Sequence, residues 1–280
     1  MEICRRPIKN FKKELEIEIT KFGKHKLEEI IDYDHYVLWS AGTESTLILF
    51  ELLELKKSRF IKGDIFVIVN RGTHPGRDAI EDTKREEIVE YVKEKYNYDL
   101  KENWLELQCN IIGKKGINKL REGNTLQWLF PIMAMMQLPS GDKFLLYHGN
   151  NKEDDTNIKY HHTINAVNEI DHFASDETTK THIVTIMNNY RKSDCIRRLI
   201  EIDPKIISMI ATCETATSQM KRDNDDNVIG PCGKCSKCIE FKRALVEAYK
   251  YEKDAYEDVN IEAYTNAIAN LQIKRFKEWN

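Results

Sequence analysis

Tyr36-Val37-Leu38-Trp39-Ser40-Ala41-Gly42-Thr43-Glu44-Ser45-Thr46 is the stretch on which the reading of this chain turns. Four apolar residues of strand length run into small and hydroxyl-bearing residues, and a strongly apolar helix is expected from Thr46 to Lys57. Small side chains let a polyanion approach the main chain. The first N–H groups of the following helix have no partners within it and carry partial positive charge, which suits phosphate. The hydroxyls of Ser40, Thr43, Ser45 and Thr46 can add hydrogen bonds. A tight turn from strand to helix with a serine cap is the alternative. The loop holds no lysine and the chain no GxxxxGK[ST], so a Walker-type NTPase is excluded.

Outward from this loop the pattern repeats. Asp64-Ile65-Phe66-Val67-Ile68-Val69 is a second apolar run, followed by an amphipathic helix over 78–97 with Ile88, Val92 and Tyr96 on one face. Trp104 to Gln108 alternates as a strand does, Thr125 to Leu138 is helical in pattern, and Phe144-Leu145-Leu146-Tyr147 is another buried strand. Beyond residue 160 the strand signal fades; Ser193-Asp194 opens a helix, and the chain after Cys238 is helical to its end. Short apolar strands alternating with helices predict an α/β fold, a mostly parallel sheet with helices on both faces. The expected organisation is an N-terminal helical accessory segment over 1–35, a nucleotide-binding α/β domain over 36–204 and a metal-binding helical region over 205–280. Ligands of such sheets sit beyond the carboxyl ends of the strands, which directs attention to 40–45, 70–74 and 148–155.

The 280 residues are 41% hydrophobic and 32% charged, which excludes wholesale disorder. A net charge of −3 gives no general reason to bind nucleic acid, although it leaves a local basic groove open. No apolar run approaches the ~20 residues of a membrane span, and Met1 to Arg6 lacks the long apolar run of a signal peptide, so a cytoplasmic protein is expected.

Seven cysteines are placed unevenly: Cys4, Cys109 and Cys195 are scattered, whereas Cys213, Cys232, Cys235 and Cys238 gather. Cys232-Gly233-Lys234-Cys235-Ser236-Lys237-Cys238 is a double CxxC sharing its middle cysteine. Four thiolates suit structural zinc, with no coordination position left open. A [4Fe–4S] cluster is the competing use, and a disulfide pair the bland one.

The loop resembles the pyrophosphate loop of the PP-loop (N-type) ATP pyrophosphatases, written SGGxDS, with Ala41 and Glu44 departing from it. Joined to C-x18-C-x2-C-x2-C, it resembles the 7-cyano-7-deazaguanine synthase (QueC) family, whose fold is adenine nucleotide alpha-hydrolase-like. Leu120-Arg121-Glu122-Gly123-Asn124-Thr125 is similar to that family's Arg-Asn-Thr segment, and His148-Gly149-Asn150-Asn151-Lys152-Glu153-Asp154-Asp155 to its Gly-Ala-Asn-x-x-Asp stretch. Lys192-Ser193 is similar to its Lys-Ser/Thr-Lys helix start. The family's Tyr-Pro-Asp-Cys-Arg stretch is absent; Thr156 to His162 stands there, with His161-His162 a pair open to acid–base work or to a solvated loop.

The resemblance implies an ATP-dependent C–N ligase and nitrile synthase: a carboxylate is adenylated, ammonia attacks to give an amide, and a second ATP-driven step dehydrates it. It implies ATP and Mg²⁺ at Ser40, Ala41, Gly42, Thr43, Glu44, Ser45 and Thr46, with Glu44 and Ser45 catalytic and adenine near Val69, Asn70 and Arg71. It implies structural Zn²⁺ on Cys213, Cys232, Cys235 and Cys238. A deazapurine-type carboxylate would lie near Arg121, Asn124, Gly149, Asn150 and Asp154, with ammonia as co-substrate and room for a homodimer. The bulk of Ala41 is expected to narrow the phosphate space. Three alternatives stand beside this reading. They are a diverged relative acting on nucleic acid or protein, an enzyme like the phosphoadenylylsulfate reductases, and a catalytically silent nucleotide-binding module.

Overall fold

The computed structural model describes residues 10–21, 31–71, 75–108, 143–151, 180–213, 221–222, 228–230, 232–233 and 235–255. The helix expected over 125–138 and the His161-His162 pair lie outside them. The elements in order are α1 (Phe11–Lys21), β1 (Asp34–Leu38), α2 (Thr43–Lys57), β2 (Ile65–Arg71), α3 (Pro75–Tyr96), β3 (Trp104–Gln108), β4 (Lys143–Tyr147) and β5 (Lys180–Val184). They continue with a 3-10 turn at Ile186–Asn189, α4 (Lys192–Ile202), a 3-10 turn at Pro204–Met209, β6 (Lys221–Arg222), β7 (Val228–Gly230) and α5 (Ser236–Ala255).

β1 to β5 form one sheet in the order β3-β2-β1-β4-β5, every neighbouring pair parallel. Its two faces follow from register. Val37, Val67, Leu145, Tyr147 and Val184 belong to the main core together with residues of all five helices, among them Leu15, Leu49, Val92, Leu199 and Leu245. The alternate residues Leu38, Ile68, Phe144, Leu146 and Ile183 are buried too. Burial of both faces is what parallel strands require, and the expected α/β class, a parallel sheet covered by helices, is the one found. The strand expected to end at Val69 continues to Arg71, and the helix expected from Thr46 begins at Thr43, directly behind the loop.

β5 is the departure from expectation, since no strand was foreseen beyond residue 160. Lys180-Thr181-His182-Ile183-Val184 has one apolar pair and a histidine where the periodicity would place an aliphatic residue, yet His182 is buried. The first helix is part of the same body. Glu18 of α1 accepts hydrogen bonds from the N–H and hydroxyl of Thr185, just after β5. Beneath it, the ring of His35 hydrogen-bonds the Tyr147 hydroxyl at 2.8 Å across β1 and β4. Burial first, then Lys56, holds the His35 imidazole down to about 3, so it is neutral in the core. Arg198 of α4 grips the buried Glu51 of α2, with 2.5 Å from Nε to Oε1, which satisfies a carboxylate that burial alone would push towards protonation.

Because Leu15 is fully buried in the main core, Leu15→Ala should cost about 2–5 kcal/mol of unfolding free energy, read by urea denaturation. A loss near zero would show α1 to be a detachable segment.

Candidate functional site

All five strands of the sheet point the same way, so their carboxyl ends share one edge. β1 is central there: the chain leaves it toward β2 and β3 on one side and reaches β4 and β5 on the other. A crevice outside such a reversal point is where open parallel sheets hold ligands. The Ser40–Ser45 loop lies at that point.

The loop is closed upon itself by short-range hydrogen bonds. Gly42 N–H donates to Ser40 Oγ at 3.3 Å, Ser40 N–H to Ser45 Oγ at 3.4 Å, and the Ser45 hydroxyl to the Gly42 carbonyl at 3.4 Å. Gly42 is the N-cap of α2 and no side chain caps the helix, so the partial positive charge of its first turn faces the loop. Thr46 is spent on packing: its hydroxyl accepts from the Trp39 indole at 3.4 Å.

Ala41 has φ 52, the left-handed region that favours glycine. The turn from strand to helix imposes that angle, and the alanine meets it at a cost. Its side chain is fully buried in the main core cluster. The methyl therefore fills the core instead of narrowing the phosphate space, contrary to expectation. The carbonyl of Ala41 accepts a hydrogen bond from Ala211 N–H at 2.8 Å.

The segment after β4 closes the other side. A Cβ at Gly149 would lie 3.0 Å from the Ser45 nitrogen and 3.4 Å from Glu44 Cβ, so glycine permits the approach. Asn150 N–H donates to His148 Nδ1 at 3.3 Å, which leaves the ring proton on Nε2, and burial holds this imidazole down to about 3. The side-chain nitrogen of Asn150 is buried without a hydrogen-bond partner among the described residues. Asn151 donates to Glu44 Oε1 at 2.6 Å, and Lys192 at the start of α4 approaches the same oxygen at 3.7 Å. Lys192 also lies 3.5 Å from Glu240 of α5. Asp194 accepts from Arg191 N–H at 3.1 Å and so sets the helix start that presents Lys192.

Of the expected site residues, Ser40 to Thr46, Gly149 and Asn150 come together. Val69 lies in the main core, Asn70 is half-buried and Arg71 ends β2 beside Gln108. Arg121, Asn124 and Asp154 lie outside the described residues. Asn151 was not foreseen as a site residue, and Lys192 only as a helix start. The sequence signals are the polar run after β4 for Asn151 and the Lys192-Ser193 helix start for Lys192.

The four clustered cysteines converge as expected, all four Sγ atoms lying within 4.8 Å of one another. One ion bound by four thiolates at about 2.3 Å spaces them about 3.8 Å apart, and Cys213 to Cys235 is 4.0 Å. Backbone N–H groups of Cys232 and Cys235 point at Cys213 Sγ and Cys232 Sγ, at 3.4 and 3.3 Å. Gly233 turns the first CxxC with φ 71, and Lys242 holds its carbonyl at 3.0 Å. Burial, then Cys235, pushes the Cys238 thiol up, so ionising the set calls for a cation. These residues fit a metal ion.

No protein-family model and no curated protein matches the sequence. Among solved structures the chain is similar to U34-tRNA thiolase NcsA from Methanococcus maripaludis with its [4Fe-4S] cluster, at 12% identity and a TM-score of 0.40, over 95% of this chain and 81% of that one. A likeness so distant leaves function to the site itself. No described helix is long and apolar enough to cross a membrane.

Two variants test the loop. Ala41→Gly should change stability by less than about 1 kcal/mol, because relief of the left-handed angle offsets the lost methyl. Ala41→Val should lose more than about 2 kcal/mol, a branched side chain at that angle in a filled core being doubly disfavoured. Thermal unfolding of both proteins measures this.

Proposed function

We propose that the chain is an ATP-dependent enzyme that adenylates an oxygen of its substrate for attack by nitrogen, a C–N ligase or nitrile synthase of the 7-cyano-7-deazaguanine synthase type. The observation that carries this reading is the uncapped start of α2, behind a glycine-containing hydroxyl loop at the reversal point of a parallel sheet. The phosphates of ATP lie against Ser40 to Ser45 and draw on the helix N–H groups and hydroxyls. The substrate oxygen attacks the α-phosphorus, pyrophosphate leaves, and the adenylate is open to ammonia. Asn150, whose buried amide nitrogen has no partner among the described residues, hydrogen-bonds the acceptor substrate.

Glu44 takes the place of the usual aspartate. Its carboxylate is aimed by Asn151 and neutralised by Lys192, and the extra methylene is accommodated by that pair. When bound, Mg²⁺ would neutralise the triphosphate, with Glu44 the nearest carboxylate of the loop to hold it or its water. Lys192 then turns from Glu44 toward phosphate. The four cysteines hold one Zn²⁺ as a structural ion; the close grouping of their sulfurs supports a single ion over a cluster whose thiolates bind separate irons.

A second reading, a silent nucleotide-binding module, is favoured by the same Glu44, whose oxygen is already engaged. AMP and pyrophosphate release separate the two. For the enzyme, Glu44→Ala should lower turnover roughly 100-fold or more with a smaller effect on ATP affinity, and Glu44→Asp should bring no gain. Turnover restored in a silent protein by Ala41→Gly with Glu44→Asp would establish the second reading.

The chain should carry one equivalent of zinc by elemental analysis, lost in Cys235→Ser. Iron and a brown colour would overturn the zinc assignment.

A further inference from the structure

Two short paths join the thiolate cluster to the phosphate loop. The first runs from Cys213 through Thr212 to Ala211, whose N–H holds the carbonyl of Ala41 at 2.8 Å. That carbonyl belongs to the residue in the left-handed region, the point of the loop with the least conformational latitude. The second runs from Cys238 along the first turn of α5 to Glu240, 3.5 Å from Lys192, which lies 3.7 Å from Glu44. The cluster therefore reaches both ends of the loop, the strand side through a backbone hydrogen bond and the helix side through an ion pair. Ile80 of α3 packs against Cys213 and Cys238 and ties in the helix that follows β2.

We propose that the four-cysteine metal site positions the phosphate loop through Ala211 and Glu240, so that metal occupancy sets nucleotide affinity. A bound ion fixes where Cys213 and Cys238 lie relative to each other. The residues two positions away inherit that spacing, and with it the carbonyl of Ala41 and the cation facing Glu44. Without the ion, the spacing of Cys213 and Cys238 rests on weak hydrogen bonds to sulfur alone, and the donor to the Ala41 carbonyl is held less firmly. The coupling is reciprocal: ATP must tighten metal binding by the factor by which the metal tightens ATP.

The inference rests on the proposed ATP site, and one set of measurements separates its failure from that of the site. ATP affinity is measured by calorimetry at one magnesium concentration on protein as purified, after chelation and desalting, and after reloading with zinc. Amide hydrogen exchange is followed over residues 40–46 and over β4 in the same samples. Ala211→Pro removes the donor to Ala41 while keeping every cysteine. Ile210 is already extended at ψ 134, as a residue before proline prefers. Glu240→Gln removes the half-exposed ion pair to Lys192 together with the surface pair to Lys237 on the same helix, and leaves every cysteine in place.

The expected result is that chelation weakens ATP binding and accelerates exchange in 40–46 more than in β4, and that zinc reverses both. Ala211→Pro should weaken ATP on the order of tenfold, and Glu240→Gln roughly two- to fivefold, both at full metal content. Equal ATP affinity and equal loop exchange with and without metal, in protein that stays folded, would overturn the coupling. So would full ATP affinity in both variants. Should loaded protein bind no ATP at all, the nucleotide reading fails, while loop exchange still decides the coupling. If Ala211→Pro does not fold, Glu240→Gln and the chelated wild type decide it.

Discussion

Parallel pairing on both sides of β1 is the constraint from which the site follows. A parallel neighbour requires the chain to cross back over the sheet, so each strand must be followed by a crossover, and all carboxyl ends collect at one edge. With β2 and β4 on opposite sides of β1, the strand order reverses at a switch point directly beyond Leu38, where open parallel sheets hold ligands. The loop at 40–45 and the segment after β4 both enter it, although more than 100 residues separate them along the chain. Nothing in either segment alone builds the site; the sheet order does.

Charge within the crevice is arranged economically. Glu44 sits in the first turn of α2, where a carboxylate is favoured by the helix dipole, and its burial is offset by an amide and an ammonium group. Lys192 stands between two carboxylates from different elements, so its position reports on both. The cysteine cluster lies at the other end of this chain of contacts, which runs from the loop through Lys192 to α5.

The sheet was legible wherever strands were continuous apolar runs. Those of β1, β2 and β4 stand out because both faces are buried. β5 escaped because an edge strand can place His182 where inner strands need an aliphatic residue, and a histidine buried in the sheet does not register as hydrophobic. The loop and the thiolates were legible because their chemistry is local: hydroxyls before a helix, and cysteines two residues apart. Asn151 and the pairing of Lys192 with Glu44 were not, because an amide or a lysine carries no signature of a partner 107 or 148 residues away. The left-handed angle of Ala41 was hidden for a related reason, since alanine does not announce a conformation that glycine would.

Gly149 shows what this architecture disfavours. A single methyl there would lie 3.0 Å from a backbone nitrogen of α2, an atom fixed by the helix behind it and unable to swing aside as a side chain would. The neighbouring positions face different pressures: Asn150 and Asn151 act through side chains that can be exchanged and retuned, whereas position 149 acts by having none. Sequence change along this edge of the sheet is therefore channelled past this residue, around an unaltered glycine. For protein engineers the same fact marks 149 as the hinge pin to leave alone, and 150 and 151 as the first positions to randomise.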